Sequence, residues 1–167
     1  MQIEGFGLRY LRFLEETIVD GDGLRDALYL SGCRHACPKC HNPESWNGKS
    51  GRLMTDAMVD FIIERIELNP LLDGLTVTGG DPFYNPPALL ELLRRIKTAT
   101  GIDIWCYTGY RIEDMAGDEE LLAPLEYIDT LVDGPFIYAE RDPMLTFRGS
   151  RNQRLIRSPY TVAQRIL

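Results

Sequence analysis

Three cysteines fall within eight residues, in the run Cys33-Arg34-His35-Ala36-Cys37-Pro38-Lys39-Cys40. Thiolates this close together on one loop are soft ligands, and two chemistries suit them. They can ligate three irons of a [4Fe–4S] cluster and leave the fourth iron without a protein ligand, open to a substrate. They can also bind zinc, with His35 or His41 completing a Cys3His tetrahedron in a non-catalytic interaction module. Closed structural zinc sites ordinarily pair two short knuckles from separate segments, and this chain has one. Judged on the loop alone, both readings stand. The fourth cysteine, Cys106, lies apart in an apolar stretch and reads as a small core residue.

A second constellation is Thr78-Gly79-Gly80-Asp81-Pro82. Two glycines remove side chains where a backbone must approach a ligand closely or turn sharply. Asp81 adds an acceptor, and the backbone carbonyls here can bind an ammonium group. The plain alternative is a Gly-Gly turn before proline.

Both motifs have to be held by regular elements, and the pattern around them alternates strand and helix. The apolar run Ala27-Leu28-Tyr29-Leu30 ends at Ser31-Gly32 and reads as a buried strand feeding the cysteine loop, residues 33–51. Thr55 caps a helix with Met58, Phe61, Ile62, Ile63 and Ile66 as its apolar stripe, stopped at Asn69-Pro70. Leu75 to Thr78 is a second strand. Asn85-Pro86 starts a second helix, with Glu91 and Arg95 spaced for a surface pair. Ile102 to Tyr107 is a third strand, Asp118 caps a short helix through about Leu125, Ile128 to Val132 is a fourth strand, and residues 152–157 can add a last one. Repeated β–α units imply parallel strands with helical crossovers. They are too few for a closed eight-stranded barrel, so the expected α/β fold is an open, partial β/α barrel forming one domain over residues 1–167. The loops after its strands converge at one rim, where such folds place their chemistry. Asn42, Thr108 and Asp133 also lie at or near strand ends.

The chain has 167 residues and a net charge of −7, which argues against general nucleic-acid binding. The charge is uneven. From Arg141 to the end six arginines face the single acid Asp142, leaving −12 on the first 140 residues. This basic segment, 141–167, reads as a solvated end or as a docking surface for an acidic partner. Residues 1–14 are broken by Glu4, Arg9 and Arg12 and hold no signal-peptide core, and no apolar run approaches the ~18 residues of a membrane span. The cytoplasm is the expected location.

Cys-x3-Cys-x2-Cys after one strand and Gly-Gly-Asp-Pro after the next resemble the radical S-adenosylmethionine superfamily. Asp20-Gly21-Asp22-Gly23-Leu24-Arg25 and Cys40-His41-Asn42-Pro43-Glu44-Ser45-Trp46 are similar to the corresponding text of glycyl-radical-enzyme activases. Tyr107-Thr108-Gly109-Tyr110, Leu131-Val132-Asp133-Gly134 and Phe147-Arg148-Gly149-Ser150-x-Asn152-Gln153 narrow the likeness to anaerobic ribonucleoside-triphosphate reductase activating proteins, over about residues 17 to 157. The resemblance implies a [4Fe–4S] cluster on Cys33, Cys37 and Cys40, with S-adenosyl-L-methionine chelating the open iron. It implies that Gly79, Gly80 and Asp81 hold the methionine ammonium, and that backbone from Lys39 to His41 contacts adenine. Asn42, Thr108 and Asp133 take positions that contact the cofactor or a monovalent cation in related activases. The implied reaction is reductive cleavage of S-adenosylmethionine and hydrogen abstraction from a glycine of the reductase, fed by a low-potential donor such as a flavodoxin or ferredoxin. Another glycyl-radical enzyme or a small molecule is the alternative target. Two positions depart from the superfamily pattern: Lys39 stands where an aromatic residue is common, and Asp81 where glutamate is.

Overall fold

The computed structural model describes residues 7–167, so the first part of the N-terminal segment read above lies outside the described residues. Its centre is one seven-stranded sheet in the order β3-β1-β2-β4-β5-β6-β7. The strands are β1 (Arg9–Thr17), β2 (Arg25–Leu30), β3 (Arg52–Leu53), β4 (Gly74–Gly79), β5 (Asp103–Tyr107), β6 (Thr130–Asp133) and β7 (Arg154–Arg157). The helices are α1 (Asp56–Leu68), α2 (Pro86–Thr100), α3 (Ile112–Ala116), α4 (Glu119–Leu122) and α5 (Pro159–Ile166).

The expected parallel arrangement holds for β2, β4, β5 and β6 and fails at both margins. β1 pairs antiparallel with β2, β3 antiparallel with β1, and β7 antiparallel with β6. The strand anticipated at 152–157 therefore runs opposite to its neighbour. Its connection from β6 contains no helix that could carry it back to the other end of the sheet, only a short 3-10 turn at Tyr138–Glu140.

Register divides the central sheet into two faces of different chemistry. Leu28, Val77, Cys106 and Leu131 stand side by side across four strands, and all four belong to the hydrophobic core. α1 and α2 cover this face with Val59, Ile62, Ile66, Leu89, Leu92, Leu93 and Ile96. One residue along, Ala27, Thr76, Trp105, Thr130 and Arg157 align on the opposite face, followed by Tyr29 and Thr78. That face is polar and aromatic. Strands of a parallel sheet buried on both sides normally read as continuous apolar runs, so the Thr and Arg positions mark a surface reserved for something other than packing.

Local chemistry accounts for the helices. The Thr55 hydroxyl accepts the Met58 N–H at 3.1 Å, and Asn85 caps α2 by accepting the Ala88 N–H, ahead of Pro86. Gly101 closes α2 in the left-handed region at φ 66°. The buried stripe of α1 is Val59, Ile62 and Ile66, whereas Phe61 is half-exposed against Phe13. Glu91, expected beside Arg95, pairs with Arg94, and Arg95 instead reaches across to Asp56 and Asp60 of α1. The Asp118 carboxylate caps α4 through the Glu120 and Leu121 N–H groups; the helix stops at Leu122 and continues as a 3-10 turn, Ala123–Tyr127, where Pro124 cannot donate to the ladder. Thr55→Ala is expected to lower stability by about 1 kcal/mol, read as a lower urea midpoint with unchanged slope; an unchanged midpoint would show the cap to be idle.

Candidate active site at the strand ends

The C-terminal ends of β2, β4, β5 and β6 open into one cavity of about 530 Å3 on the polar face of the sheet. This volume suits a ligand of nucleoside size or larger. Its wall takes Cys33, Cys37, Cys40, His41 and Asn42 from the loop after β2, then Thr78, Gly79 and Gly80 from β4. Thr108 and Gly109 follow β5, and Gly134 follows β6. The convergence expected at one rim is therefore present.

The cysteine loop is held at its root by backbone. Gly32 N–H donates to Ser45 O at 2.7 Å, Cys33 N–H to Trp46 O at 3.1 Å, and Asp81 N–H to Gly32 O at 2.7 Å. Gly80 allows this contact, since a Cβ there would stand 2.5 Å from the Gly32 carbonyl oxygen. Beyond the root, Ala36 and Lys39 take left-handed φ values of 49° and 60°, which non-glycine residues seldom adopt. These two reversals curl the loop so that all three thiols reach the same cavity. Strain of this kind gathers at functional sites.

The donor set fits an iron–sulfur cluster. All three thiols are half-buried, unpaired in disulfides, and on one cavity wall. Among the described residues no group of three or more His, Cys, Asp or Glu draws together around a position for one metal ion. A cubane spreads its three thiolates over three irons, so it does not ask for that convergence. The imidazole of His35, the fourth ligand under the zinc reading, is turned to Asp81 at 2.5 Å. Burial pushes the Cys33 thiol up from its ordinary value, while the nearby backbone of His35 pulls the other way. Cys106 is fully buried on β5, and desolvation raises its thiol well above the usual range, as suits an inert core residue.

Three candidate residues lie off the cavity wall. Asp81 is buried behind Thr108 and Gly109, its carboxylate bonded to both. Asp133 is fully buried, accepts the Ile112 N–H and pairs with Arg154. Lys39 turns outward, its Nζ 4.0 Å from the centre of the Tyr138 ring. The basic end is also less free than its charge implies, since Arg154 pairs with Glu113 and Asp133, and Arg157 with Asp22.

Sequence reasoning missed several wall residues. Asp20 stands in the cavity with Oδ1 accepting the Tyr29 hydroxyl at 2.9 Å and Oδ2 buried without a partner. Burial and the Asp20 hydrogen bond push the Tyr29 phenol up to about 12. Tyr29 and Tyr107 could have been found by alternation, because each follows a core position, Leu28 and Cys106, on its strand. Phe136, Leu145 and Phe147 close the cavity from the segment after β6, where no periodicity announces them. His35, offered by the sequence only as a zinc ligand, lines the cavity as well and is wedged between Asp81 and the Tyr110 ring, with centroids 4.6 Å apart.

Comparison with known proteins agrees with this class of site. Residues 19–156 match the model of a 4Fe-4S single cluster domain, so an iron–sulfur domain takes up most of the chain. The anaerobic ribonucleoside-triphosphate reductase-activating protein of Haemophilus influenzae is 39% identical over 150 residues, 87% of this chain and 96% of its own. Its namesake in Escherichia coli K12 is 37% identical with the same coverage, and that of Enterobacteria phage T4 is 36% identical over 89% of this chain and 93% of its own. The chain belongs to the family of anaerobic ribonucleoside-triphosphate reductase-activating proteins.

Proposed function

We propose that this protein is a radical S-adenosylmethionine enzyme that installs a glycyl radical on an anaerobic ribonucleoside-triphosphate reductase. The observation that carries the reading is the cavity shared by Cys33, Cys37 and Cys40 with the glycine turn of the next strand. Cys33, Cys37 and Cys40 would hold a [4Fe–4S] cluster there, and it would supply the electron for reductive cleavage of S-adenosylmethionine, the chemistry from which a glycyl radical on the reductase is made.

The chain's own residues bind, orient and exclude water. Cys33, Cys37 and Cys40 would be the cluster's three thiolate ligands, with no fourth cysteine on the cavity wall. Gly79 and Gly80 bring backbone to the cavity wall for the amino group, because no side chain intervenes there. His41 and Asn42, next to Cys40, and the Thr108 hydroxyl line the remainder of the binding space. Phe136, Leu145 and Phe147 form an apolar cover that keeps water from a reactive intermediate. Asp20 lines the same space and holds the Tyr29 hydroxyl at 2.9 Å.

The sheet is read as the wall of an open barrel, and residues 1–167 as one domain. The hydrophobic core behind the sheet and the cavity before it support both statements. Among the described residues no helix is long and apolar enough to cross a membrane. A low-potential flavodoxin or ferredoxin is the class of donor the electron requires. Anaerobically prepared protein is expected to be brown and to carry about four irons per chain. On reduction with S-adenosylmethionine it should release 5′-deoxyadenosine and give the reductase a radical signal in electron paramagnetic resonance. A colourless protein holding one zinc would overturn the reading.

A further inference from the structure

We propose that His35 and Asp81 form a latch that positions the cysteine loop, and that Asp81 serves this purpose in place of holding a ligand amine. The latch's benefit to a cluster rests on the reading of Cys33, Cys37 and Cys40 given above; the latch itself rests on geometry.

An ionised carboxylate offers about four lone-pair sites. Four donors already reach Asp81. Phe83 N–H donates to Oδ1 at 2.9 Å, and Gly109 N–H donates to Oδ2 at 2.9 Å. The Thr108 hydroxyl lies 3.0 and 2.9 Å from the two oxygens, and His35 Nε2 lies 2.5 Å from Oδ2. The side chain is 2% exposed and absent from the cavity wall. An ammonium arriving from the cavity could bind Asp81 only by displacing one of these donors. Gly79 and Gly80 need no such exchange.

Because the carboxylate can only accept, His35 carries hydrogen on Nε2 and acts as donor. Its ring is fixed on its remaining sides as well. Tyr110 meets it edge-on, and Gly109 lies so close that a Cβ there would stand 2.5 Å from His35 Cδ2. The ring therefore fits a slot built by the ends of β4 and β5. His35 is two residues from Cys33 and two from Cys37. Fixing the imidazole fixes the stretch between the first two ligands, including the strained turn at Ala36. Asp81 thus acts on the cluster through His35, as a positioning residue.

The test uses the full chain, both reconstituted anaerobically with iron and sulfide and free of metal. In the loaded protein the readouts are iron release to a ferrous chelator and equilibrium binding of S-adenosylmethionine. In the metal-free protein the readout is hydrogen exchange at the Cys33 and Cys40 amides, which donate to Trp46 O and Cys37 O. His35→Ala and Asp81→Asn should each speed iron release by about tenfold or more, the scale of losing an outer-shell partner of a metal ligand. Both should also speed the amide exchange, while affinity for S-adenosylmethionine per loaded site stays within about threefold of wild type, well under that outer-shell scale. His35→Gln, whose amide N–H can reach Asp81, should restore slow release and slow exchange. A His35→Ala protein that matches wild type in either readout overturns the latch, as does failure of His35→Gln to rescue. Asp81→Asn that keeps its iron yet binds S-adenosylmethionine tenfold or more weakly assigns Asp81 to the ligand instead. Should Asp81→Asn not fold, the His35 pair decides. Should the chain never load iron, the function proposed above fails, and the metal-free exchange still decides the latch.

Discussion

Replacing Cys37 by alanine is expected to leave a folded, colourless protein that releases 5′-deoxyadenosine only at background level. Cys37 sits half-exposed on the cavity wall at the centre of the loop, and no hydrogen bond to its side chain supports the fold. On the ligand set proposed above, its loss would remove one of three thiolates with no fourth on the wall to substitute, so iron should fall well below one cluster per chain. Cys106 provides the control. It is buried on β5 on the opposite face of the sheet, so Cys106→Ala should keep the iron while costing about 1 kcal/mol through a small cavity. Iron analysis with product chromatography checks both variants. A Cys37→Ala protein with wild-type iron and turnover would remove that residue from the ligand set.

Arg25→Met should destabilise the protein by about 3 kcal/mol, the lower end of the cost of breaking a buried ion pair. Arg25 is 1% exposed on the polar face of the sheet. Its guanidinium donates to Thr76 Oγ1, to the carbonyls of Asp22, Leu75 and Asp103, and to the Asp103 carboxylate. It also lies 5.4 Å from the centre of the Trp105 ring, on which Arg157 rests at 5.1 Å. One side chain therefore ties together β2, β4, β5 and the turn that carries Asp20. The Asp103 side chain is 42% exposed and can turn to water once its partner is gone, which holds the loss below the upper end of the range. The buried groups around Thr76 have no such recourse. For a chain of this size the melting temperature should fall by about 6–12 °C, followed by circular dichroism. A fall under 2 °C would show that water replaces the guanidinium at no cost.

The central strands were legible because each is a short apolar run that ends in glycine or a polar turn residue, as Leu30 does at Ser31-Gly32. The two long helices were legible from caps and periodicity. β1 was not. Arg9–Thr17 reads as charges interleaved with Leu and Phe, since much of it is exposed near the sheet margin, and it becomes a strand by pairing with β2. α5 went unread although Ser158-Pro159 precedes it as Asn85-Pro86 precedes α2; Ser158 is left-handed there and its side chain makes no cap hydrogen bond. For the site, spacing was enough to bring the cysteines and glycines together, because strand ends in a parallel sheet share one edge. Spacing could not show that Asp81 faces His35, 46 positions earlier, and Thr108, 27 positions later. Such partners are chosen by the sheet, and nothing nearby in the chain encodes them. The same holds for Asp133, whose strand-end position suits a ligand contact but whose carboxylate answers Arg154.

The span of those Asp81 contacts bears on when the protein can acquire its metal during biosynthesis. Cys33, Cys37 and Cys40 leave the ribosome early, yet the partners that shape their loop come from β4 and from Thr108 and Gly109 beyond β5. Parallel pairing across such separations forms late in folding, because loop closure must precede the contacts that reward it. A nascent chain therefore exposes three thiols with no preferred arrangement, vulnerable to oxidation or to a competing metal ion. Iron insertion belongs after the sheet has formed, on a complete chain kept reduced.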